Sequence, residues 1–247
     1  GEARHYFGLP VTEARASWQV TREPVYPWWW GFRGGRLPKQ GGASERVAAG
    51  ESALGADGKF SVQFTPEVDE RESRDVSYRY HLSAAVTDEG GEPREAEKSY
   101  RLGFAAVEAR VERAAGFLFA GKPATLTVVR TDLNGAPRAG AGRYRLLRLR
   151  QPPQPRLPSE ETIVDPAARA PEFQTPGDLQ RPRWERGASA EQVLFGWEDG
   201  EELARGAVAH GADGRGEVAL AGLPAGAYRL RYETEDEFGV LAKAQSE

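Results

Sequence analysis

The chain has 247 residues and a mass of 27.0 kDa, enough for one large domain or two of ordinary size. Its 33 basic and 37 acidic side chains leave a net charge of −4, the wrong sign for a protein that binds nucleic acid by neutralising phosphates, so no nucleic-acid partner is expected. The absence of cysteine excludes disulfides, thiolate metal sites and a cysteine nucleophile within these residues, although an extracellular domain of this size needs no disulfide.

Short bursts of apolar–polar alternation mark half-buried strands along the chain. They fall at Ala14–Val20, at Phe60–Phe64 after the turn Asp57-Gly58, and at Tyr78–Val86 before Asp88-Glu89-Gly90-Gly91. Further strands are expected at Val107–Val111, Lys122–Thr131, Tyr144–Leu149, Val218–Leu220 and Tyr228–Tyr232. Asn134-Gly135 is a hairpin turn signal, because both residues tolerate positive φ. Helical spacing is confined to Ser189–Phe195, which is short and has Ser189 as its one visible cap. No apolar run is long enough to cross a bilayer and no signal peptide is recognisable. The chain opens on Gly1 and contains no methionine, so it reads as a piece of a longer polypeptide. The pattern is that of an all-β protein.

Three elements recur in the same order. Pro10–Ala14 is echoed by Pro137–Ala141, Ala56–Val62 by Ala212–Val218, and Tyr78–Gly90 by Tyr228–Gly239. Two copies of one β unit are therefore expected, at residues 1–104 and 105–247, each about the size of a sandwich domain. The first copy is short at its front, as if the chain began within or just before its first strand pair. Residues 151–187 fit neither copy: they hold eight of the 17 prolines and read as a long extended insertion in the second one. Its Arg156, Arg169, Arg181, Arg183 and Arg186 raise the reading of a protease-sensitive bait, which ranks well below that of an insertion pinned to the domain by Phe173 and Trp184.

The stretch Tyr6–Val11 through Trp18–Arg22 and on to Pro24–Trp30 resembles a macroglobulin-like domain of the bacterial alpha-2-macroglobulins. Gly121–Ala124, Asp132–Pro137 and Tyr144–Pro152 extend the resemblance to the second copy, so it covers nearly the whole chain. It implies two tandem macroglobulin-like, fibronectin- or Ig-like antiparallel β-sandwich domains. It also implies a non-catalytic place in a broad-spectrum protease inhibitor of the cell envelope, periplasmic or secreted. Partners would be the neighbouring domains of the same parent chain and, through the full-length protein, target proteases trapped after bait cleavage. The Cys–Gln thioester of many members cannot reside in a chain without cysteine.

Candidate interface residues are Tyr26, Trp28, Trp29, Trp30 and Phe32, five aromatics within seven residues of Gly/Pro-rich sequence. Packing on their own sandwich or on a neighbouring domain ranks first, with partner binding or sugar stacking as rivals. The rival class is therefore a surface adhesin or carbohydrate-binding module built on Tyr26 and Trp28–Trp30. Acidic clusters at Glu67, Asp69, Glu70 and Glu72 and at Glu233, Glu235, Asp236 and Glu237 lack calcium-loop spacing and read as solvated turns. The three histidines, His5, His81 and His210, do not stand at metal-ligand spacing. No catalytic motif, metal site or cofactor is expected. The core is expected from Trp18, Phe60, Phe64, Tyr78 and Tyr80 in the first copy. In the second it falls to Leu126, Val128, Tyr144, Leu146, Tyr228 and Leu230.

Overall fold

Ala16, Trp18, Val20 and Arg22 alternate along a strand and share one face, because side chains two apart point the same way. That strand is β1 (Arg15–Val25), the centre of the first of two compact units, Gly1–Ala106 and Val107–Glu247. The computed structural model describes residues 1–12, 14–27, 44–67, 75–87, 91, 93–113, 117–159, 162, 175–185 and 187–247.

In unit 1, β1 pairs antiparallel with β2 (Glu45–Ala53) on one side and β3 (Ser77–Thr87) on the other, and β4 (Pro93–Leu102) completes the order β2-β1-β3-β4. One face of this sheet is covered by extended segments. Ala3, Val11, Leu54 and Phe60 pack with buried Ala16 and Val86, while Tyr26 and Phe64 pack with Val20, Val76, Tyr78 and Tyr80. The expected strand Phe60–Phe64 is thus extended and alternates inward and outward, but forms no ladder. Trp18 and Phe64 are partly buried where Tyr78 and Tyr80 are 3% and 1% exposed.

In unit 2, β5 (Val107–Glu112), β6 (Ala124–Asp132) and β9 (Arg215–Leu220) make a three-stranded sheet of order β5-β6-β9. The second sheet, of order β11-β10-β7-β8, contains β7 (Gly140–Arg150), β8 (Glu198–His210), β10 (Tyr228–Glu235) and β11 (Leu241–Ser246). Leu126, Val128 and Val218 from the first sheet meet Leu146, Val208, Leu230 and Tyr232 from the second in one core. Tyr144 and Tyr228 pack against it partly buried. One short helix, α1 (Ala190–Phe195), precedes β8; Ser189 accepts from the Gln192 N–H at 3.2 Å, and the Gln192 side chain accepts from the Ser189 N–H at 2.9 Å. Gln192 is therefore a capping partner that the sequence reading missed.

The repeated elements fold alike in atomic detail. Trp18 pairs with Gly50 and Ala84, and Tyr144 with Gly206 and Tyr232. A Cβ on either glycine would come within 2.7 Å of the facing aromatic ring, so both copies lay an aromatic over a bare backbone. A register shift follows Val20 against β2 and Leu146 against β8. The hydrogen bonds Ala3 N–H to Gly58 O (2.9 Å) and Val11 N–H to Ala3 O (3.0 Å) recur as Arg130 N–H to Gly214 O (2.8 Å) and Arg138 N–H to Arg130 O (3.1 Å). In the third echo the cross-strand partners equate Tyr80, rather than Tyr78, with Tyr228, since Arg22 and Arg148 oppose them. A slip of two preserves the inward face, which is why alternation alone does not detect it.

Gly58 and Gly214 hold φ of +74° and +71° and press against the backbone, Gly58 on Ala3 O and Gly214 on Arg130 O. Gly214→Ala is expected to cost about 1–2 kcal/mol for the left-handed conformation and about 1–3 kcal/mol more for displacing β6. Gly135 is the control: its φ is +87° but nothing lies within 4 Å of its would-be Cβ, so Gly135→Ala should show the first cost alone in urea denaturation. Equal losses for the two variants would refute the close-approach account.

Candidate functional site

Of the expected aromatic interface, Tyr26 follows β1 directly and is half-buried against the Val20, Val76, Tyr78 and Tyr80 cluster of its own unit. Trp28, Trp29, Trp30 and Phe32 lie outside the described residues. In the insertion, Leu157 N–H donates to Gln180 O and Ser159 N–H to Ala188 O, both at 2.9 Å. Trp184 is buried at 8% exposure, with the Arg183 guanidinium 5.8 Å from its ring centre. A 3-10 turn at Pro176–Leu179 places Asp178 where Arg183 Nε reaches one carboxylate oxygen at 2.7 Å and a second Arg183 nitrogen the other at 3.1 Å. With the Thr175 N–H also donating at 2.7 Å, Arg183 and this amide hold the Asp178 carboxyl down to about 2. This part of the insertion is locally ordered by its own side chains. Phe173 lies outside the described residues, as do Arg169 and Arg186.

The buried polar groups of unit 2 bind strands together. Arg229 on β10, 3% exposed, donates to Glu247, Asp199 and the carbonyls of Trp197, Leu194 and Phe195, at 2.6–3.2 Å. It thereby caps the C-terminus of α1. Arg130 on β6 reaches Thr234 Oγ1 at 3.0 Å, Ala139 O at 2.6 Å and Glu235 O at 2.9 Å. His210 Nδ1 lies 2.9 Å from Gly214 O and Nε2 2.5 Å from the Tyr232 hydroxyl. Burial, with Arg130 adding to it, holds the His210 pKa below its usual value. The imidazole is thus neutral at pH 7: Nδ1–H donates to the carbonyl, and Nε2 accepts from Tyr232. His81 is partly exposed beside Ser99 and Glu97.

Asp236 is equally engaged. Its Oδ1 accepts from the Phe238 and Val240 amides at 2.9 and 2.8 Å, as Asp132 Oδ1 accepts from Asn134 and Ala136. Among the described residues no group of three His, Asp or Glu is placed to hold a metal ion.

A feature of unit 2 shaped for a ligand went unnoticed in the sequence. At one end of the sandwich the two sheets part over a cavity of about 310 Å³, floored by Leu126, Leu146, Leu220 and Leu230. The β5–β6 connection overhangs it with Phe117, Leu118 and Phe119, which remain 66%, 44% and 72% exposed. Phe117 and Phe119 meet edge to face, 5.4 Å between ring centres. Three consecutive bulky apolar residues before a glycine are the signal that could have pointed here, but they carry no strand-like alternation.

No protein-family model and no curated protein matches the sequence. Among solved structures, the chain is similar to the native conformation of E. coli alpha-2-macroglobulin, at 14% identity and TM-score 0.35, over 98% of this chain and 14% of that one. Salmonella alpha-2-macroglobulin reacted with methylamine gives 13% identity and TM-score 0.38, over 99% of this chain and 15% of that one. A tetra-tandem repeat in the extending region of a large adhesion protein gives 12% identity and TM-score 0.27, over 96% and 42%. The chain thus spans 14–15% of the length of the two macroglobulins.

Proposed function

We propose that the two units are non-catalytic structural modules of an alpha-2-macroglobulin-like, broad-spectrum protease inhibitor of the cell envelope. In this reading the parent protein traps a protease after bait cleavage, and these units hold and move neighbouring domains. The observation that carries it is the doubled β unit: one strand order, one register shift and one glycine-centred turn occur twice in a single chain. The buried polar groups Arg130, His210, Arg229 and Asp236 are engaged in joining strands and closing turns. The sequence resemblance supplies the parent, and fold analogy alone would not.

The test is made on the full-length parent incubated with trypsin. A trap leaves the protease active on a small amide substrate while shielding it from a protein substrate, and peptide mapping then finds the first cut outside residues 151–187. A parent that is degraded progressively, or that leaves trypsin fully active on casein, overturns the reading.

A further inference from the structure

We propose that the open end of the unit 2 sandwich is a binding site for an amphipathic anion, with an alkyl chain in the cavity and its carboxylate at Lys122. Concave, mostly apolar cavities of about 300–1,000 Å³ are the usual form of small-molecule sites, and this one is at that scale.

The mouth is preformed. Gly121 N–H donates to Leu223 O at 2.7 Å, tying the loop after Phe119 to the loop after β9. The Tyr228 hydroxyl donates to Pro224 O at 2.6 Å and fixes the far side of that second loop. Leu194 forms another wall, on a helix whose last carbonyls Arg229 holds. A cavity held open in this way does not have to be reorganised when a ligand enters.

The charges at the rim select the head group. Arg113 is engaged by Glu191 at 2.8 Å and by Glu247 O, and the Glu247 carboxylate by Arg229 at 2.9 Å. Lys122 lines the same cavity and carries no ion pair among the described residues. Lys122 is thus the rim cation that no carboxylate engages among the described residues. Chain chemistry follows from the leucine floor, which offers contact surface and no hydrogen-bonding group. The Gly121 and Lys122 N–H groups and the Leu223 and Pro224 carbonyls are already bonded within the protein and hold the rim in place.

Isothermal titration of the 247-residue chain with alkyl carboxylates from octanoate to tetradecanoate, each below its critical micelle concentration, tests this directly. Affinity should rise roughly fourfold per added methylene until the cavity is full and then level off. Dodecanoate should bind on the order of tenfold tighter than dodecyltrimethylammonium, and Lys122→Glu, a surface change that leaves the fold intact, should reverse that order. Leu223→Trp, with its circular dichroism unchanged, should abolish both by filling the space. Binding of neither amphiphile, or equal binding of both that ignores Lys122→Glu and Leu223→Trp, overturns the proposal. So does self-association of the wild-type chain that Leu223→Trp removes, because the occupant would then be a second copy.

Discussion

Arg229→Ala is expected to destabilise unit 2 by about 3–5 kcal/mol, the range for breaking a buried, hydrogen-bonded charge by removing one partner. A guanidinium has five N–H donors, and Arg229 makes five hydrogen bonds with them. Alanine would leave Glu247 without its guanidinium and would remove one donor each from the Leu194 and Phe195 carbonyls at the end of α1. A helix of six residues cannot offset that, since helices so short do not persist in water without tertiary support. The loss should therefore appear twice: as a lower urea midpoint for unit 2, and as faster amide exchange at Val193–Gly196 well before global unfolding. Arg229→Lys should recover only a minority of the stability, because an ammonium cannot serve both the helix end and two carboxylates across its plane. A loss below about 1 kcal/mol, the level of exposed ion pairs, would show that the strand ladders alone hold this region.

What the sequence made legible follows a physical line. Central strands were readable: β1, β3, β7 and β10 bury mainly one face, and burial is what writes alternation into a sequence; β6 was read from its first half, since it buries both faces from Val128 to Thr131. The four strands that were not read, β2, β4, β8 and β11, are the outer strands of the two four-stranded sheets. Their exposed positions carry charge, as in Pro93-Arg94-Glu95-Ala96-Glu97-Lys98, where seven successive residues from Pro93 to Ser99 are exposed. Such edges resist pairing with another chain and for the same reason show little hydrophobic pattern. Phe60–Phe64 was misread for the opposite cause. Its pattern matches β9 of unit 2, but where β9 makes six pairs along β6, this segment makes no ladder among the described residues and has only the bridge Glu2–Lys59 beside it, so its alternation reports one buried face and not strand pairing. The cavity was invisible because it is made by two loops and a helix distant in sequence, and no local period encodes their convergence. The aromatic cluster was legible as composition, yet of its five members Tyr26 alone lies within the described residues, turned onto its own core.

The second large effect is acid sensitivity of unit 2, and it arises where the two copies differ. The shared register equates Leu54, Ala84, Val86 and Ala3 of unit 1 with His210, Tyr232, Thr234 and Arg130 of unit 2. One copy fills this end of the sheet with carbon, the other with a buried polar network. His210 faces the Arg130 guanidinium from β6, Asp213 from its own turn and the Tyr232 hydroxyl from β10. Both ring nitrogens are already committed, so a second proton would force the Tyr232 hydrogen bond to reverse its direction and would place a cation near Arg130. Its folded pKa is accordingly held below the ordinary value of 6.5. The sign follows from linkage: the unfolded chain takes up the proton first, so stability is complete above pH 6.5 and declines as pH falls through that value toward the folded pKa. Carboxylates such as Asp178, Asp132 and Glu112, whose pKa values are also depressed, lose their contributions only below about 4.5 and leave the upper window to histidine. Urea midpoints of unit 2 should therefore fall between pH 7 and 5. His210→Leu should lower the stability at pH 7 by about 1–3 kcal/mol, through loss of the two hydrogen bonds that the ring makes to Tyr232 Oη and Gly214 O, the latter keeping its bond from the Arg130 N–H, and should flatten the dependence between pH 7 and 5. NMR titration supplies the magnitude, since each unit by which the His210 pKa lies below 6.5 corresponds to about 1.4 kcal/mol. A His210 that titrates at or above 6.5, or a pH profile that His210→Leu leaves unchanged, would place the acid sensitivity elsewhere.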